Sequence, residues 1–183
     1  MEDKMESENL IIRKSVFDDC EIFTKWEQQD YVKEFLTINK ERTYEEVVRE
    51  FITREQDPSK EQYTIILKNK GPIGRVYLSN ISREFDFIDI TRIYIGEKKY
   101  LGKGYGRECM EVLLDYCFNE LKMERVTLDH YTGNLAGNLY LKLGFKYEGI
   151  MRHSAKKDCK YYDLHLMSML REEYKNIQIV KSN

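Results

Sequence analysis

A glycine-rich stretch in the middle of the chain constrains the fold more than any other part of the sequence. It reads Tyr100-Leu101-Gly102-Lys103-Gly104-Tyr105-Gly106-Arg107, between a strand-like run over 87–95 and a regular helical pattern over 105–121. Glycine at every second position lets the backbone turn tightly and approach a ligand closely. A helix that begins there directs free N–H groups and a partial positive charge into the turn. The stretch therefore predicts a strand, a turn that binds phosphate-like anions, and a helix.

Composition excludes several other classes of function. The chain has 183 residues, of which 42% are hydrophobic, enough to build the core of one domain. Its net charge of −2 gives no basic surface, so we expect no nucleic-acid partner. No apolar run reaches the roughly 18 residues of a membrane span, and the charged N-terminus lacks the core of a signal peptide. We expect a cytoplasmic protein without a membrane partner.

Cysteine and histidine spacing gives no metal site. The four cysteines are scattered without a Cys-x-x-Cys pair, and the three histidines are isolated from one another. Cys109 and Cys117 lie in the same predicted helix, which favours reduced thiols over a disulfide. We expect no metal cofactor.

Hydrophobic periodicity predicts an α+β fold, in which strands and helices follow one another along the chain. The predicted strands are 10–15, 63–67, 73–78, 87–95, 125–129, 145–151 and 161–169, and the predicted helices begin near 18, 43, 105 and 136. The run Thr43-Tyr44-Glu45-Glu46 fits a capping box at the second helix start. Strands 63–67, 73–78 and 87–95 form an antiparallel meander, and the crossover through helix 105–121 makes strand 125–129 parallel to 87–95. We assign residues 1–170 to one domain, with a frayed start over 1–8, and residues 171–183 to a peripheral C-terminal tail.

The glycine stretch differs from two better-known phosphate loops. No Ser or Thr follows a Gly-Lys pair, so it is not a Walker A loop. Its glycines alternate and its strand comes late in a meander, unlike the dinucleotide-binding fingerprint. Taken alone, the stretch is either an anion site or a flexible turn.

A second motif, Ala136-Gly137-Asn138-Leu139-Tyr140-Leu141-Lys142-Leu143-Gly144-Phe145, forms a short helix about thirty residues later. Taken alone, Tyr140 fits a buried core tyrosine. Together the two motifs resemble the GNAT N-acetyltransferase family, whose pyrophosphate loop reads Gln/Arg-x-x-Gly-x-Gly/Ala and whose later helix carries Ala, Tyr and Gly-Phe at this spacing. A third match, Tyr161-Tyr162-Asp163-Leu164-His165-Leu166-Met167, resembles the closing strand of the family. The resemblance covers about residues 9–170.

This resemblance implies a three-layer fold with a mixed, mostly antiparallel sheet of six to seven strands and helices on both faces of the sheet. The sheet is splayed between strands 87–95 and 125–129, and acetyl-CoA binds in the splay. The loop from Leu101 through Gly102, Lys103, Gly104, Tyr105 and Gly106 to Arg107 would hold the pyrophosphate, and backbone groups of Ile93, Tyr94 and Ile95 would pair with the pantetheine arm. Leu101 stands where the family has Gln or Arg, so the pyrophosphate would be bound mainly by backbone N–H groups, with Lys103 or Arg107 as the charged partner. Asn134 lies one residue after the position of the family's pantetheine-binding Asn.

The implied reaction is the attack of an amine on a thioester, which needs a neutral amine and a protonated leaving group. An alkylamine has a pKa of ~10.4, so a nearby base must take its proton. By resemblance Tyr140 is the general acid, and Asp129 is the candidate base. Asp89, Asp129, Asp163 and Trp26 are candidates for contact with the acceptor. The alternatives are solvated strand-end carboxylates for Asp89 and Asp129, and a core position for Trp26.

The sequence thus predicts an acyltransferase that moves an acetyl group to a primary amine. Asp129 and Trp26 resemble the aminoglycoside 6′-acetyltransferase branch, and the same region fits branches that act on ribosomal protein N-termini or polyamines. The acceptor is therefore a small-molecule amine or a protein N-terminal amine, and residues 25–40 and 153–163 wall its pocket. The alternative functions are an acetyl-CoA sensor or scaffold of the same fold and a nucleotide-binding module. The oligomeric state is a monomer or a homodimer.

Overall fold

A single mixed sheet organises the computed structural model, which describes residues 4–34, 36 and 42–182. Its strands are β1 Lys4–Glu6, β2 Leu10–Lys14, β3 Glu61–Leu67, β4 Gly71–Ser82, β5 Phe87–Ile95, β6 Arg125–Tyr131, β7 Lys146–Lys157 and β8 Lys160–Leu170. The helices are α1 Asp19–Glu27, α2 Asp30–Lys33, α3 Tyr44–Glu55, α4 Tyr105–Asp115, α5 Ala136–Leu143 and α6 Arg171–Ser182.

The strand order is β1-β2-β3-β4-β5-β6-β8-β7. Every neighbouring pair is antiparallel except β5 and β6, which are parallel because α4 crosses over between them. The mixed, mostly antiparallel sheet is therefore confirmed. The described chain has eight strands instead of the six to seven expected, because β1 pairs with β2 where the sequence predicts a frayed start. The Glu108 carboxylate holds the turn between them by accepting a hydrogen bond from Ser7 Oγ at 2.7 Å.

Two apolar clusters form the core, and together they account for helices on both faces. The larger cluster joins the sheet to α4, whose Met110, Leu113 and Leu114 follow the helical spacing that the sequence shows. The smaller cluster joins α1 to α3 and consists of Cys20, Phe23, Trp26, Val47 and Phe51.

Helix ends follow local chemistry. Thr43 Oγ1 accepts a hydrogen bond from Glu46 N at 3.3 Å, and Glu46 Oε2 accepts one from Thr43 N at 3.0 Å, so the predicted capping box of α3 is confirmed. The helix predicted over 105–121 is α-helical only to Asp115 and continues as a π-helical segment, Tyr116–Glu120.

The segment predicted as a peripheral tail forms α6. Its Tyr174 is 4% exposed and stacks on Phe118 with ring centroids 4.9 Å apart. The expectation of a peripheral segment is wrong, because this contact packs α6 onto the main core. In the described chain, no helix is long and apolar enough to cross a membrane.

Candidate active site

The parallel strands β5 and β6 separate in the middle of the sheet. They pair only at Phe87↔Arg125, Ile88↔Val126 and Asp89↔Thr127, although β5 runs on to Ile95 and β6 to Tyr131. On its other side β5 stays paired with β4 to Ile95, with a register shift opposite Thr91. A gap therefore opens where the sequence predicts the splay.

Asp89 lies at the point where the strands separate. Its Oδ2 accepts a hydrogen bond from Thr127 Oγ1 on β6 at 2.7 Å, and its Oδ1 accepts one from Thr91 Oγ1 at 2.9 Å. Burial raises the pKa of Asp89, while these hydroxyl hydrogen bonds oppose the shift. The side chain thus joins the two strands at the base of the gap.

A cavity of about 160 Å³ occupies the gap. Its lining brings together the predicted residues Ile93, Asp129, Asn134 and Tyr140. The full lining is Leu36, Ile90, Thr91, Arg92, Ile93, Asp129, His130, Tyr131, Asn134 and Tyr140. Arg92 and His130 are members that the sequence analysis missed.

Tyr140 reaches the cavity from α5 and is 7% exposed. Its ring lies 6.1 Å from the His130 ring and 6.0 Å from the Phe145 ring, measured between centroids. Burial, and then the negative charge of Asp129, raise the pKa of Tyr140 to about 12. The hydroxyl is therefore protonated at neutral pH, and within the described chain we find no hydrogen-bond partner for it.

Asp129 faces the same cavity from β6. It remains accessible to water there, yet partial desolvation by the surrounding protein raises its pKa. The negative charge of Asp89 raises the pKa further, and His130 opposes the shift. A carboxylate with a raised pKa is a stronger proton acceptor than an ordinary aspartate.

The glycine loop lies between a 3₁₀ turn, Lys98–Tyr100, and the first turn of α4. Gly102 and Gly104 have φ of 71° and 88°, left-handed values that favour glycine. Across the described residues, no backbone carbonyl or side chain accepts a hydrogen bond from the amides of 102–107. Six consecutive N–H groups are therefore open to an anion at a helix start.

The charged residues of the loop are held loosely. Lys103 Nζ lies 5.7 Å from the centroid of the Tyr100 ring. Arg107 forms an exposed ion pair with Glu111 at 3.3 Å, and Leu101 is 44% exposed. Neither cation is buried, so both can turn toward a bound phosphate.

Asn134 uses its side chain to start α5. Its Oδ1 accepts a hydrogen bond from Ala136 N at 2.9 Å, which satisfies an amide at the helix N-terminus. Tyr94 directs its side chain away from the gap, since its hydroxyl donates to Glu27 Oε1 at 2.9 Å. Ile93, Tyr94 and Ile95 contribute to the gap through the backbone edge of β5 that β6 no longer covers.

Two predicted acceptor contacts need correction. Trp26 is 1% exposed, its indole N–H donates to Glu97 Oε1 at 3.2 Å, and it packs against Tyr94. It belongs to the smaller core cluster and lines no part of the cavity. Asp163 also lies outside the cavity lining, because its Oδ1 accepts a hydrogen bond from His153 N at 2.7 Å and stabilises the β7–β8 hairpin.

The predicted walls of the acceptor pocket are only partly described. Leu36 lines the cavity, whereas 35 and 37–41 lie outside the described residues. The β7–β8 hairpin approaches the end of α2, where Lys157 Nζ donates to the carbonyl oxygens of Lys33 and Glu34. The described part of the chain contains no cluster of three or more His, Cys, Asp or Glu side chains suited to a metal ion.

Comparisons with known proteins agree with this arrangement. A family model described as an acetyltransferase (GNAT) domain matches residues 9–146. The uncharacterized N-acetyltransferase p20 of Bacillus licheniformis is 25% identical over 92% of this chain and 96% of its own length. The uncharacterized N-acetyltransferase YnaD of Bacillus subtilis is 22% identical over 92% of this chain and 97% of its own length. Spermidine N-acetyltransferase from Vibrio cholerae, solved with CoA and spermine, shares the fold with a TM-score of 0.84 and 22% identity over 93% and 100% of the chains.

Proposed function

The chain belongs to the acetyltransferase (GNAT) domain family, whose members use acetyl-CoA, and from this membership we propose that it acetylates a primary amine by direct attack on the thioester. The observation that carries the proposal is the gap between β5 and β6. Asp129 and Tyr140, a base and an acid, face one cavity there. Direct attack needs both groups at the same reacting centre, and it needs no nucleophile from the protein.

Gly106 tests whether the loop fits a pyrophosphate. It lies in α4 without a left-handed φ, and a Cβ built on it meets no atom of the described chain within 4 Å. Neither backbone conformation nor internal packing therefore requires glycine at this position. Close approach of a ligand does, so we propose that the amides of 102–107 hold the pyrophosphate, with Lys103 and Arg107 as charged partners.

The uncovered edge of β5 would hold the pantetheine arm. Ile93, Tyr94 and Ile95 are paired with β4 on one side only, so their other edge can bind an extended amide-containing chain as an added strand would. Asn134 lies beside this edge and caps α5 with its carbonyl oxygen, which leaves its NH₂ group as a donor to the arm.

Tyr140 is the proposed general acid. The thiol of CoA has a pKa of ~8.5, so its thiolate leaves with little protonation, and the phenol of Tyr140 assists the departure by donating its O–H to the sulfur as negative charge develops there. The raised pKa of Tyr140 keeps that proton on the phenol until negative charge develops beside it.

Asp129 is the proposed general base. An alkylammonium has a pKa of ~10.4, and its proton must leave before the amine can attack. The raised pKa of Asp129 brings it closer to the pKa of the alkylammonium, which makes the proton transfer easier. The negative charge of Asp89, at the base of the gap, helps to raise the pKa of Asp129. Backbone N–H groups on the separated edges can stabilise charge on the thioester oxygen.

The proposed acceptor is a small primary amine. The spermidine N-acetyltransferase from Vibrio cholerae, which has the same fold, was solved in complex with CoA and spermine, and this supports a small amine as the acceptor. Protein N-terminal amines and aminoglycosides, the acceptors of the other branches that the sequence resembles, belong in the same test.

A thiol-release assay with acetyl-CoA and a panel of amino acids, polyamines, aminoglycosides and N-terminal peptides tests the proposal. We expect at least one amine to stimulate thiol release and to become acetylated. Tight CoA binding in calorimetry with no turnover across the panel would favour a sensor or scaffold instead.

A further inference from the structure

A buried cluster of charges lies between α1, α3 and the sheet, and it reaches the cavity at one residue. It contains four guanidinium groups and two carboxylates. Its members are Glu27, Arg42, Glu50, Arg54, Arg75 and Arg92. The unequal numbers make the cluster a source of positive potential beside the cavity.

Both carboxylates form ion pairs with arginines of the cluster. Glu27 is 0% exposed and lies 2.8 Å from Arg75 Nη1, 2.9 Å from Arg42 Nε and 3.5 Å from Arg92 Nη1. Glu50 pairs with Arg42 and, at 3.4 Å, with Arg92 Nη1. Two acids are thus shared among three arginines.

The remaining arginine has only neutral partners. Arg54 Nη2 donates to Leu78 O at 2.8 Å and to Ser79 Oγ at 3.0 Å, and its guanidinium covers the Tyr77 ring at 3.8 Å. Burial raises the pKa of Tyr77, so this phenol supplies no negative charge. The described cluster therefore carries an excess of cations, and burying them without counter-charges is costly.

Arg92 lies between the excess positive charge of the cluster and the cavity in which the acceptor would bind. It is the only member of the cluster among the described residues that line the cavity. Its Nη1 lies 3.5 Å from Glu27 Oε1 and 3.4 Å from Glu50 Oε2, and its guanidinium lies over the Tyr77 ring at 4.5 Å. Within the described chain, no hydrogen bond or ion pair engages its Nε or Nη2. Arginine donors in this arrangement match the two oxygens of a carboxylate.

We propose that Arg92 binds the acceptor and selects, among primary amines, those that also carry a carboxylate, so that the acceptor class is the amino acids. This inference rests on the proposed acetyl transfer and narrows its substrate. The cavity has Asp129 for the amine and Arg92 for the carboxylate. A polyamine would bring a second cation against Arg92 and the excess charge behind it.

Matched acceptors test the proposal by their kcat/KM values in the thiol-release assay. Each set contains an amino acid, its amide and its decarboxylated amine: alanine with alaninamide and ethylamine, and lysine with lysinamide and cadaverine. The amide keeps an electron-withdrawing carbonyl that lowers the amine pKa, so amine basicity cannot explain a preference for the acid. We expect the kcat/KM of the acid to exceed that of both analogues, which lack the carboxylate, by roughly 10- to 100-fold, the range of one charge-assisted hydrogen bond.

Two variants assign the preference to Arg92. Arg92→Gln should raise KM for the amino acid and reduce the ratio of its kcat/KM to that of the analogues by about tenfold or more. Arg92→Lys keeps the charge and should retain part of this preference. Arg83→Gln, at an exposed arginine on the β4–β5 loop, is the control for loss of positive charge and should keep the wild-type preference. Thermal melting shows whether each variant is folded.

The outcomes separate this inference from the function on which it rests. A wild-type preference for the amide, the decarboxylated amine or polyamines overturns the inference and leaves acetyl transfer intact. An undiminished preference in folded Arg92→Gln, or its complete loss in folded Arg92→Lys, also overturns the assignment to Arg92. Transfer to no amine at all overturns the proposed function together with the inference.

Discussion

Tyr140 combines a buried ring with a hydroxyl that faces the cavity. Tyr140→Phe removes one oxygen and leaves the ring contacts with His130 and Phe145 in place. Because the thiolate is a good leaving group, we expect kcat to fall by about 10- to 100-fold, at or below the lower end of general-acid effects. Acetyl-CoA affinity, measured by calorimetry, should stay unchanged.

Tyr44→Phe is the matched control for this change, since Tyr44 is 39% exposed at the start of α3. It should keep the wild-type kcat. A wild-type rate in Tyr140→Phe would remove Tyr140 from the chemistry and return it to the core role that the sequence also allows.

The pH dependence of the reaction reports on the two aspartates. Asp89→Asn removes a negative charge that raises the pKa of Asp129, and it retains oxygen and nitrogen atoms for Thr91 and Thr127. The pKa of Asp129 should therefore fall, so that the base is deprotonated at lower pH. We expect the acidic limb of kcat/KM, normalised to its plateau, to move to lower pH.

Asp18→Asn, at an exposed position before α1, should leave the limb where it is in the wild type. A limb that does not move in Asp89→Asn, or that moves to higher pH, would mean that Asp129 is not the titrating base.

At the residue scale, the sequence singles out Tyr140 and Asp129 through the family's motifs. Both line the cavity, and their roles as acid and base stay predictions. Arg92 was missed because a charged residue on a strand gives no sign of whether it faces water or a buried counter-charge. Trp26 was assigned to the acceptor site because sequence alone does not show the Gly96 backbone that packs against its indole.

At the scale of elements, the loop and the first turn of α4 form the proposed donor site. Gly106→Val places a branched side chain where the described chain leaves open space. Since valine is at least as good a helix former as glycine, the melting temperature should not fall. Acetyl-CoA should bind at least about tenfold more weakly, because the side chain occupies the path of the pyrophosphate to the amides.

Gly106→Ala provides the graded comparison, because one methyl group intrudes less than three carbons and should weaken binding less. Equal affinities for acetyl-CoA in calorimetry across wild type, Ala and Val would show that this helix start does not contact the donor.

Strand and helix order followed from periodicity, but the details that shape the gap did not. The register shift between β4 and β5 depends on pairing across strands, and the π-helical segment after Asp115 depends on packing under the sheet. Neither leaves a local pattern in the sequence, whereas the Thr43 capping box is local and was predicted correctly.

At the scale of the whole molecule, the Glu27–Arg75 pair joins α1 to the centre of the sheet. Both side chains are 0% exposed and 2.8 Å apart. Glu27→Gln leaves the arginines around it without their shared counter-charge, so we expect urea unfolding to show a loss of about 3 kcal/mol or more. Glu21→Gln, exposed on the same helix, should unfold like the wild type, and equal stability of the two variants would contradict this account of the cluster.

The two ends of the chain show what the sequence could not supply at this scale. β1 is only Lys4–Glu6 and depends on pairing with β2, and α6 has a charged surface pattern with one buried tyrosine. Both segments are stabilised by contacts with distant residues, so local composition described them as frayed or peripheral. The central sheet and the crossover were predicted from long apolar patterns, and the gap was predicted from the resemblance to the family.

Direct transfer at the gap is most directly tested by mixing excess protein with acetyl-CoA, first without and then with an accepted amine. The account predicts no thiol release until the amine is added, and then thiol and acetylated amine in equal amounts. A burst of thiol before the amine arrives, or thiol released without acetylated amine, would contradict it.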